Sequence, residues 1–511
     1  MIAVSDAWKE IQQRFLLPET HIEIDCTVTE DDVQNSATIF GTNEAEFSNT
    51  FSAKYDATKT VKYATNELNL WELDGSVTIA PDSAPYADIG YVSDIDTEGS
   101  VTVMLSEVHT SATSGVTITW GGMYGEYPTT FTVIAKNGGN VVYEYTITHN
   151  TSQETVVLEG LQNYDSIKIV VHEWSLPYRR KRIEKVIIGQ VLTFYKKDIF
   201  NYTHEQTGHL NSGELPKNSI TFTLDNTDGR WNPNNPEGME QYLSERQRLR
   251  VRYGLDVNGV VEWIKAGTFY LSEWRVPHNG LEASFVARDI FEYLLNETYT
   301  EAKSGTLYEL IENAFSAAGV PYDFEYVLDS SLKNYSTTIP DGEHTCAEIV
   351  QMCANAGGCV IYQNRDGVLH IEPLSKVHTE AVIPLTLSYS HPEIELSKPL
   401  RNVDVSYGAD KPFSLSVGNG NAGETQTVSN PLVNSAERAE FIAKWVRDTL
   451  ITRKTVSGEY RADPRLDVFD IVAVASKYGD LQNVALTSIK YTFNGSFRGE
   501  YKGRLLEVGS V

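Results

Sequence analysis

Short segments of alternating apolar and polar residues run through most of this chain, and they limit its fold more than any other feature. IEIDCTVTE, from Ile22, and EASFVAR, from Glu282, place apolar side chains at every second position, which is the repeat of a strand with one buried face. No run approaches the roughly 20 apolar residues that span a bilayer. We therefore expect a mainly β protein of the α+β class without a membrane span.

Changes in composition divide the chain, whose 511 residues exceed what one core usually organises. The alternation that begins at His21 is interrupted near Leu70 by short strands rich in Thr, Ser, Gly and Tyr, and it resumes after Gly189. We interpret the interruption as an inserted module, because the closure cost of a loop grows slowly with its length. The predicted domains are a first β domain with an N-terminal helix (1–70 and 189–300), an inserted β-sandwich (71–188), a small α/β domain (301–380) and a second β domain with one helix (381–511).

Helical patterns are restricted to four stretches. The N-terminal stretch, 1–17, lacks the apolar core of a signal peptide and predicts an amphipathic helix through Val4, Trp8, Ile11 and Phe15. In the middle of the chain, SGTLYELIENAFSAAGV and CAEIVQMCANAGG predict two helices, and Asp366-Gly367 predicts the turn of the hairpin that follows. Asn434 and Glu437 predict a capping box at the start of the last helix.

The charge balance argues against nucleic-acid binding. Lys and Arg number 42 against 69 Asp and Glu, which gives a formal net charge of −27, whereas proteins bind phosphate backbones by displacing counterions with cations. An acidic passage would instead let DNA slide past without binding, because like charges repel. We expect no specific nucleic-acid contact.

Four cysteines are too few for a disulfide scaffold in a chain of this size. Cys346, Cys353 and Cys359, with His344 nearby, suggest a metal site by composition, but they contain no C-x-x-C pair. Buried free thiols are the alternative that we favour. The sequence predicts no metal and no cofactor.

Two runs resemble a known family. LDNTDGRWNPNNPEGMEQYLSERQRLRVRYGLDVNGVVEWIKAGTFYLSEW, from Leu224 to Trp274, is similar to the first tube-like barrel of hub proteins in the tails of phages of Gram-positive hosts and of related R-type bacteriocins. TSIKYTFNGSFRGEYKGRLLE, from Thr487, resembles the closing strands of the same proteins. NLWELDGSVTI, a strand ending at Trp120, and NYDSIKIVVHEWSLPYRRKRIEKVIIG make the inserted stretch similar to carbohydrate-binding-like modules.

The resemblance implies a structural baseplate hub. It implies that both β domains are tube-like barrels, and that a homotrimer places six pseudo-equivalent barrels around a central channel. Two strand endings, Tyr253-Gly254 and Tyr407-Gly408, are the trace that such a duplication would leave. The implied partners are other copies of the chain, the tail tube or distal tail protein, the tip, spike or fibre protein, the tape-measure protein and host cell-wall glycan. The implied location is the virion tail, after assembly in a bacterial cytoplasm.

Aromatic and basic residues of the inserted stretch are candidates for host attachment. The candidates for stacking on sugar rings are Trp120, Tyr124, Tyr127 and Trp174. Flat aromatic faces cover the apolar side of a pyranose, and core packing is the alternative for the two tryptophans. The basic patch consists of Arg179, Arg180, Lys181 and Arg182. It would suit the phosphates of an acidic wall polymer, and salt bridges to acidic residues of the same chain are the alternative.

The sequence contains no serine elbow, HExxH motif or phosphate loop. His204 and His209 lack the helical spacing of a metal pair, so we expect surface histidines. DNTDG at 225–229 lacks the later Glu of a calcium loop and predicts a turn. Together with the end of the chain soon after the closing strands, without a peptidase extension, these observations predict a protein that is not an enzyme. A distal tail ring protein with the same insert and a cell-wall polysaccharide hydrolase are the alternatives.

Overall fold

The computed structural model describes residues 1–54 and 90–505, with short gaps. The gaps are residues 15, 17–18, 30, 47, 95–97, 112, 122–124, 236–237, 241–242, 277–279, 322–323, 375–377, 408–410, 418–422 and 480. The chain divides into two compact units: a first unit of residues 1–26 with 193–511, and a second unit of residues 27–192. The second unit contains more residues than the insert predicted at 71–188. The division into four domains stays a prediction.

The secondary structure is mostly β. The first unit begins with α1 (Asp6–Gln12) and β1 (Thr20–Thr29), which runs on into the second unit. The second unit contains α2 (Asp31–Ser36), β2 (Thr38–Thr42), β3 (Tyr91–Val92), β4 (Gly99–His109), β5 (Val116–Thr119), β6 (Pro128–Asn137), β7 (Asn140–Thr148), β8 (Glu154–Val157), β9 (Tyr164–Trp174), β10 (Arg182–Ile183) and β11 (Lys185–Tyr195), which returns to the first unit. The first unit continues with β12 (Ile199–Thr207), β13 (Lys217–Asp225), β14 (Arg248–Val257), β15 (Val260–Arg275), β16 (Glu282–Arg288), α3 (Phe291–Leu294), β17 (Ser304–Thr306), α4 (Leu307–Ala318), β18 (Tyr326–Leu328), β19 (Ser336–Thr338), α5 (Cys346–Gly357), β20 (Val360–Gln363), β21 (Leu369–Glu372), β22 (His378–Ile383), β23 (Glu393–Leu396), β24 (Leu400–Tyr407), β25 (Lys411–Ser416), β26 (Glu424–Ser429), α6 (Ala436–Leu450), β27 (Lys454–Tyr460), β28 (Ile471–Ala475), β29 (Leu481–Phe493) and β30 (Phe497–Leu505).

Two sheets enclose the core of the second unit. One sheet has the strand order β2-β4-β9-β6-β7, and β5 pairs with both β11 and β8 in the other. Trp120, Phe131 and Tyr164 are buried in the cluster between them, which is the packing of a β-sandwich. Because β2 pairs with β4, with Ile39 opposite Val103, the sandwich includes residues that the sequence assigns to the first β domain.

One long sheet joins the two β domains predicted from the sequence. Its strand order in the first unit is β23-β27-β30-β29-β12-β13-β16-β15-β14-β1. The junction is the pairing of β12 with β29, where Tyr202 lies opposite Phe493. Tyr253 of β14 contacts Phe497 of β30 with ring centroids 4.7 Å apart. Since these two strands are far apart in the strand order, the sheet curves back on itself around a shared aromatic core.

Two long strands bend at register shifts in this sheet. The first part of β15 pairs with β14 and its last part with β16, and the register shifts between Leu271 and Glu273. The first residues of β29 pair with β28 and its last residues with β12, and its register against β30 shifts between Leu486 and Ser488. A bulge bends a strand and increases its twist. β15 and β29, which come from different predicted β domains, therefore each bend and pair with different neighbours along their length.

The predicted α/β segment forms as two capped helices and a hairpin. α4 begins with a capping box of Thr306 and Glu309, and α5 begins with one of Thr345 and Glu348. β20 and β21 form the hairpin predicted at Asp366-Gly367. The buried faces of α4 and α5 belong to one apolar cluster with residues of α6 and β24.

Two local predictions in the last third of the chain are wrong. The N-cap of α6 is Ser435, whose hydroxyl accepts a hydrogen bond from the Arg438 N–H, and not Asn434. The segment IPLTLSYS, predicted as a strand, contains a 3-10 turn at Leu385–Leu387 instead.

The N-terminal helix is shorter than the predicted one. α1 ends at Gln12, and its buried residues include Trp8 and Ile11, whereas Phe15 lies outside the described residues. Ser5 caps the helix by accepting a hydrogen bond from the Trp8 N–H. Among the helices that the structure describes, none has the length and apolar character needed to cross a membrane.

Candidate functional site

A buried ion-pair cluster lies beside the start of β6 and the end of β9 in the second unit. The buried Glu126 carboxylate accepts a hydrogen bond of 2.6 Å from Nε1 of Trp174. Arg179 Nε lies 3.1 Å from Glu126 Oε1, and Arg182 Nη1 lies 3.7 Å from Glu126 Oε2. Both guanidinium groups offset the cost of burying the carboxylate. The cluster thereby fixes the segment after β9 to the loop before β6.

The structure separates the four candidates for sugar stacking. Trp120 is completely buried in the sandwich core, so neither face of its ring is available to a ligand. Trp174 is half-buried and packs on Gly121, where a Cβ would come within 3.2 Å of the ring. Tyr127 is half-buried just before β6, and Tyr124 lies outside the described residues. Trp174 and Tyr127 are the described candidates with accessible surface.

The basic patch is engaged within the second unit. Arg180 Nη1 lies 3.1 Å from Asp94 Oδ1, and Lys181 Nζ donates a hydrogen bond of 3.0 Å to the Val171 carbonyl. The two other arginines contact Glu126. All four cations thus have acceptors in their own unit, and the patch is not an array of free charges facing a wall phosphate.

Two exposed tyrosines of the second unit are not among the residues predicted to stack on sugar rings. Tyr178 is 69% exposed and has a φ of 61°, which is uncommon for a residue with a side chain. The chain on its C-terminal side is held by the ion pair of Arg180. Tyr145 on the edge strand β7 is 58% exposed, although it lies opposite the buried Val133. No sequence signal marks this exposure, because it depends on how far the opposite sheet extends.

A buried arginine connects the α/β segment to the sheet of the first unit. Arg365 Nε donates to Asp467 Oδ1 at 2.8 Å, and its Nη2 donates to the Leu466 carbonyl at 2.6 Å. Its Nη1 donates to the Pro464 carbonyl. The guanidinium also lies 5.9 Å from the centroid of the Tyr253 ring. Because every branch of this cation has a partner, Arg365 fixes the hairpin to the loop before β28.

A chain of hydrogen bonds runs through the same core. The Tyr202 hydroxyl lies 2.9 Å from that of Tyr253, which lies 2.8 Å from Nδ1 of His204. Nε2 of His204 lies 2.8 Å from Oδ1 of Asn218 and therefore donates to it. Burial, together with the charge of Arg365, lowers the pKa of His204 to about 4, so the ring is neutral near pH 7. The prediction of a surface histidine is wrong for His204.

The turn at 225–229 forms as predicted. Asp225 Oδ1 accepts a hydrogen bond from the Thr227 N–H at 2.9 Å, and Asp228 Oδ1 accepts one from the Arg230 N–H at 3.0 Å. These are Asx turns. The four cysteines are buried free thiols, and burial raises the pKa of each. Within the described residues, no group of His, Cys, Asp and Glu is arranged to hold a metal ion.

Charged side chains pair across the junction of β12 and β29. Lys490 Nζ lies 3.9 Å from Glu205 Oε1 and 3.6 Å from Glu500 Oε1. Lys217 Nζ contacts the other oxygen of Glu205 at 2.5 Å, and this hydrogen bond lowers the pKa of Glu205. Such exposed pairs each contribute up to about 1 kcal/mol. Lys217 and Lys490 are therefore paired with carboxylates of the same unit.

Comparison with known proteins finds similar solved structures. No protein-family model and no curated protein matches the chain. A tail protein from Neisseria meningitidis is 14% identical with a TM-score of 0.45, over 62% of this chain and 93% of that chain. A 43 kDa tail protein of prophage MuSo2 from Shewanella oneidensis is 13% identical with a TM-score of 0.43, over 62% and 94%. A prophage tail protein from Listeria monocytogenes is 12% identical with a TM-score of 0.41, over 62% and 90%. These neighbours are tail proteins.

Proposed function

We propose that this chain is the structural hub of a phage or phage-like tail tip and joins the tail tube to the tip or spike. The observation that carries the proposal is the resemblance of residues 224–274 and 487–507 to hub proteins. These runs contain β14, β15 and most of β29 with β30. Side chains of all four strands meet in the shared aromatic core of the first unit, so the resemblance falls on the centre of that unit.

Two similar β domains in one chain would allow a trimer to join a sixfold tail tube to a threefold spike. Three chains with two similar barrels each would present six similar surfaces around a channel, so a sixfold tube docks on one face and a threefold spike on the other. The bent strands β15 and β29 support this proposal, because they come from different β domains and each pairs with successive neighbours along its length. A distal tail ring with one barrel per chain has no need of the second β domain, which favours the hub.

The proposed channel wall lets its cargo pass. A net charge of −27 gives the chain an average potential that repels DNA. Lysines at the junction of β12 and β29 are engaged by Glu205 and Glu500 and do not add free cations there. The proposed partners inside the channel are therefore a tape-measure protein during assembly and DNA in transit. We propose no specific binding to the DNA.

The second unit is the proposed contact with host glycan. Its accessible aromatic candidates are Tyr127 and Trp174, and Trp174 is oriented by its hydrogen bond to Glu126. The same carboxylate is held by two arginines. Because the inserted stretch resembles carbohydrate-binding-like modules, we propose binding without hydrolysis, in a protein located in the virion tail.

Native mass tests the hub. Light scattering of the purified chain is expected to give three chains, or one chain that trimerises only when purified tails are added. A closed hexamer would contradict the hub and would favour a distal tail ring protein. Release of soluble sugars from bacterial cell walls would instead support a hydrolase.

Sedimentation with cell walls tests the glycan contact. Tyr127→Ala is expected to lower the bound fraction several-fold, since an aromatic face buries much of the contact area of a sugar. Tyr326→Ala removes an exposed tyrosine of the first unit and is the control that should bind like the unchanged protein. Equal binding of both variants would remove Tyr127 from the proposed site.

A further inference from the structure

A groove of about 450 Å³ opens in the first unit between a strand edge and a helix. One side is β26, through Gln426 to Ser429, followed by Asn430 and Pro431. The other side is one face of α5, formed by Glu348, Gln351, Met352 and Asn355 at helical spacing. Residues of the loop 209–214 complete the lining of the groove.

β26 is an edge strand. It pairs in parallel with β24, and within the described residues it has no other strand partner. Neighbouring residues of a strand direct their N–H and C=O groups to opposite edges, so about half of these groups of β26 point away from β24. An unpaired strand edge is a template for another extended segment.

Hydrogen bonds hold the wall opposite β26 in place. Gln351 Nε2 donates to the Ser212 carbonyl, and Asn355 Nδ2 donates to the Asn211 carbonyl, both at 2.8 Å. The Ser212 hydroxyl donates to the Cys359 carbonyl at 2.7 Å, and Ser212 has a positive φ of 44°. Asn430 ties the end of β26 to Met352 and Asn355 of α5. Such preorganisation lowers the entropic cost of binding.

The charge of the groove selects its ligand. The lining contains the carboxylates of Glu214 and Glu348, whose side chains are 80% and 54% exposed. Among the described lining residues there is no Lys or Arg, and the basic groups are His209 and His344, which lie 3.8 and 3.9 Å from these carboxylates. A cationic segment is complementary to this lining.

We propose that the edge of β26 binds an extended, positively charged segment of another polypeptide by strand addition. The main chain of the segment would pair with the free edge of β26, and its Lys or Arg side chains would reach Glu214 and Glu348. This inference goes beyond the hub proposal and does not depend on it, because it concerns the groove alone.

The test measures fluorescence anisotropy of labelled eight-residue peptides with the full-length protein. The probe alternates Thr, Val and Lys. A second peptide has Glu in place of Lys, and a third is N-methylated along its backbone and so lacks the main-chain N–H donors that strand pairing needs. We expect the basic probe to bind, the acidic peptide to bind at least roughly tenfold more weakly, and the methylated peptide not to bind. No binding of the basic probe at millimolar concentration, or equal binding of the methylated peptide, would overturn the proposal.

Protein variants separate strand addition from a nonspecific charge effect. Gln426→Pro and Thr427→Pro are made separately, because the N–H groups of neighbouring residues face opposite edges. The variant that keeps the thermal unfolding of the unchanged protein is expected to lose probe binding roughly tenfold or more. Glu214→Gln with Glu348→Gln, which retains a capping residue, should reduce the preference for the basic probe several-fold. If every proline variant that keeps the native thermal unfolding also keeps full probe binding, the proposal that the probe pairs with the free edge of β26 is wrong.

Discussion

Arg365 is the residue whose removal should cost the first unit most. Arg365→Ala leaves Asp467 and the carbonyls of Pro464 and Leu466 without their buried donor, and breaking such a pair costs about 3–5 kcal/mol. We expect a loss of this size in the free energy of unfolding by urea. Lys265→Ala breaks the exposed pair with Asp366 beside the same turn and should cost about 1 kcal/mol or less. Similar small losses in both variants would contradict the prediction.

Asp289 should make stability fall as pH rises. Burial raises its pKa to about 7, against about 3.9 in an unfolded chain, so the folded state binds the extra proton and its contribution is lost between these values. Asp289→Asn cannot ionise, and its amide oxygen can still accept from the Phe291 N–H. We expect urea unfolding to show this variant gaining roughly 1–4 kcal/mol relative to the unchanged protein between pH 5 and pH 8.

The exposed Asp366 provides the control for this pH dependence. Its side chain is more than half exposed, so Asp366→Asn removes a carboxylate without unburying one, and the loss of stability due to Asp289 between pH 5 and pH 8 should remain in this variant. Parallel curves for all three proteins would show that Asp289 does not hold a proton in the folded state.

At this scale, sequence reasoning is limited by contacts that are distant along the chain. The turn at Asp366-Gly367 is predictable from two adjacent residues, but the burial of Arg365 is not, because Asp467 is 102 positions away. Trp120 and Trp174 illustrate the same limit. Both follow β patterns, yet the core covers Trp120 completely and leaves Trp174 half exposed.

Among the elements, α6 offers a direct measurement of capping. Ser435→Ala removes the acceptor for the Arg438 N–H and should lower the free energy of unfolding by about 1 kcal/mol. Ser435→Asp keeps an acceptor near the positive end of the helix and should be close to neutral. A loss in both variants would mean that the hydroxyl contributes through packing rather than through capping.

Most helices and strands were predictable because their signals are local. α4 and α5 have complete capping boxes within four residues, and strand-length segments mark β5 to β9 of the sandwich. The N-cap of α6 could not be predicted from the sequence, because Asn434 and Ser435 are both residues that favour the N-cap position. The Asn434 oxygen instead accepts a hydrogen bond from the Tyr335 hydroxyl, 99 positions away, which leaves Ser435 to cap the helix.

For the whole molecule, the inserted sandwich predicted at 71–188 and the second unit of the structure differ in extent. The signal used was a change in composition near Leu70, whereas the second unit begins at Thr27. The reason is the pairing of β2 with β4 across about 60 positions, which composition does not record. The groove beside β26 could not be predicted from the sequence for the same reason, because its lining residues come from three separate parts of the chain.

The two units should be separable at the strands that connect them. Thr193 Oγ1 donates to Asp25 Oδ1 at 2.8 Å, so β1 and β11 come close together where they leave the first unit. Replacing residues 27–192 by an Asn-Gly turn would convert them into a hairpin. We expect this variant to keep the oligomeric mass of the full chain in light scattering and to lose binding to cell walls. Since shortening a loop lowers its closure cost, the melting temperature should not fall by more than a few degrees. A variant that aggregates or stays monomeric, while the full chain is a trimer, would mean that the second unit contributes to assembly as well as to host contact.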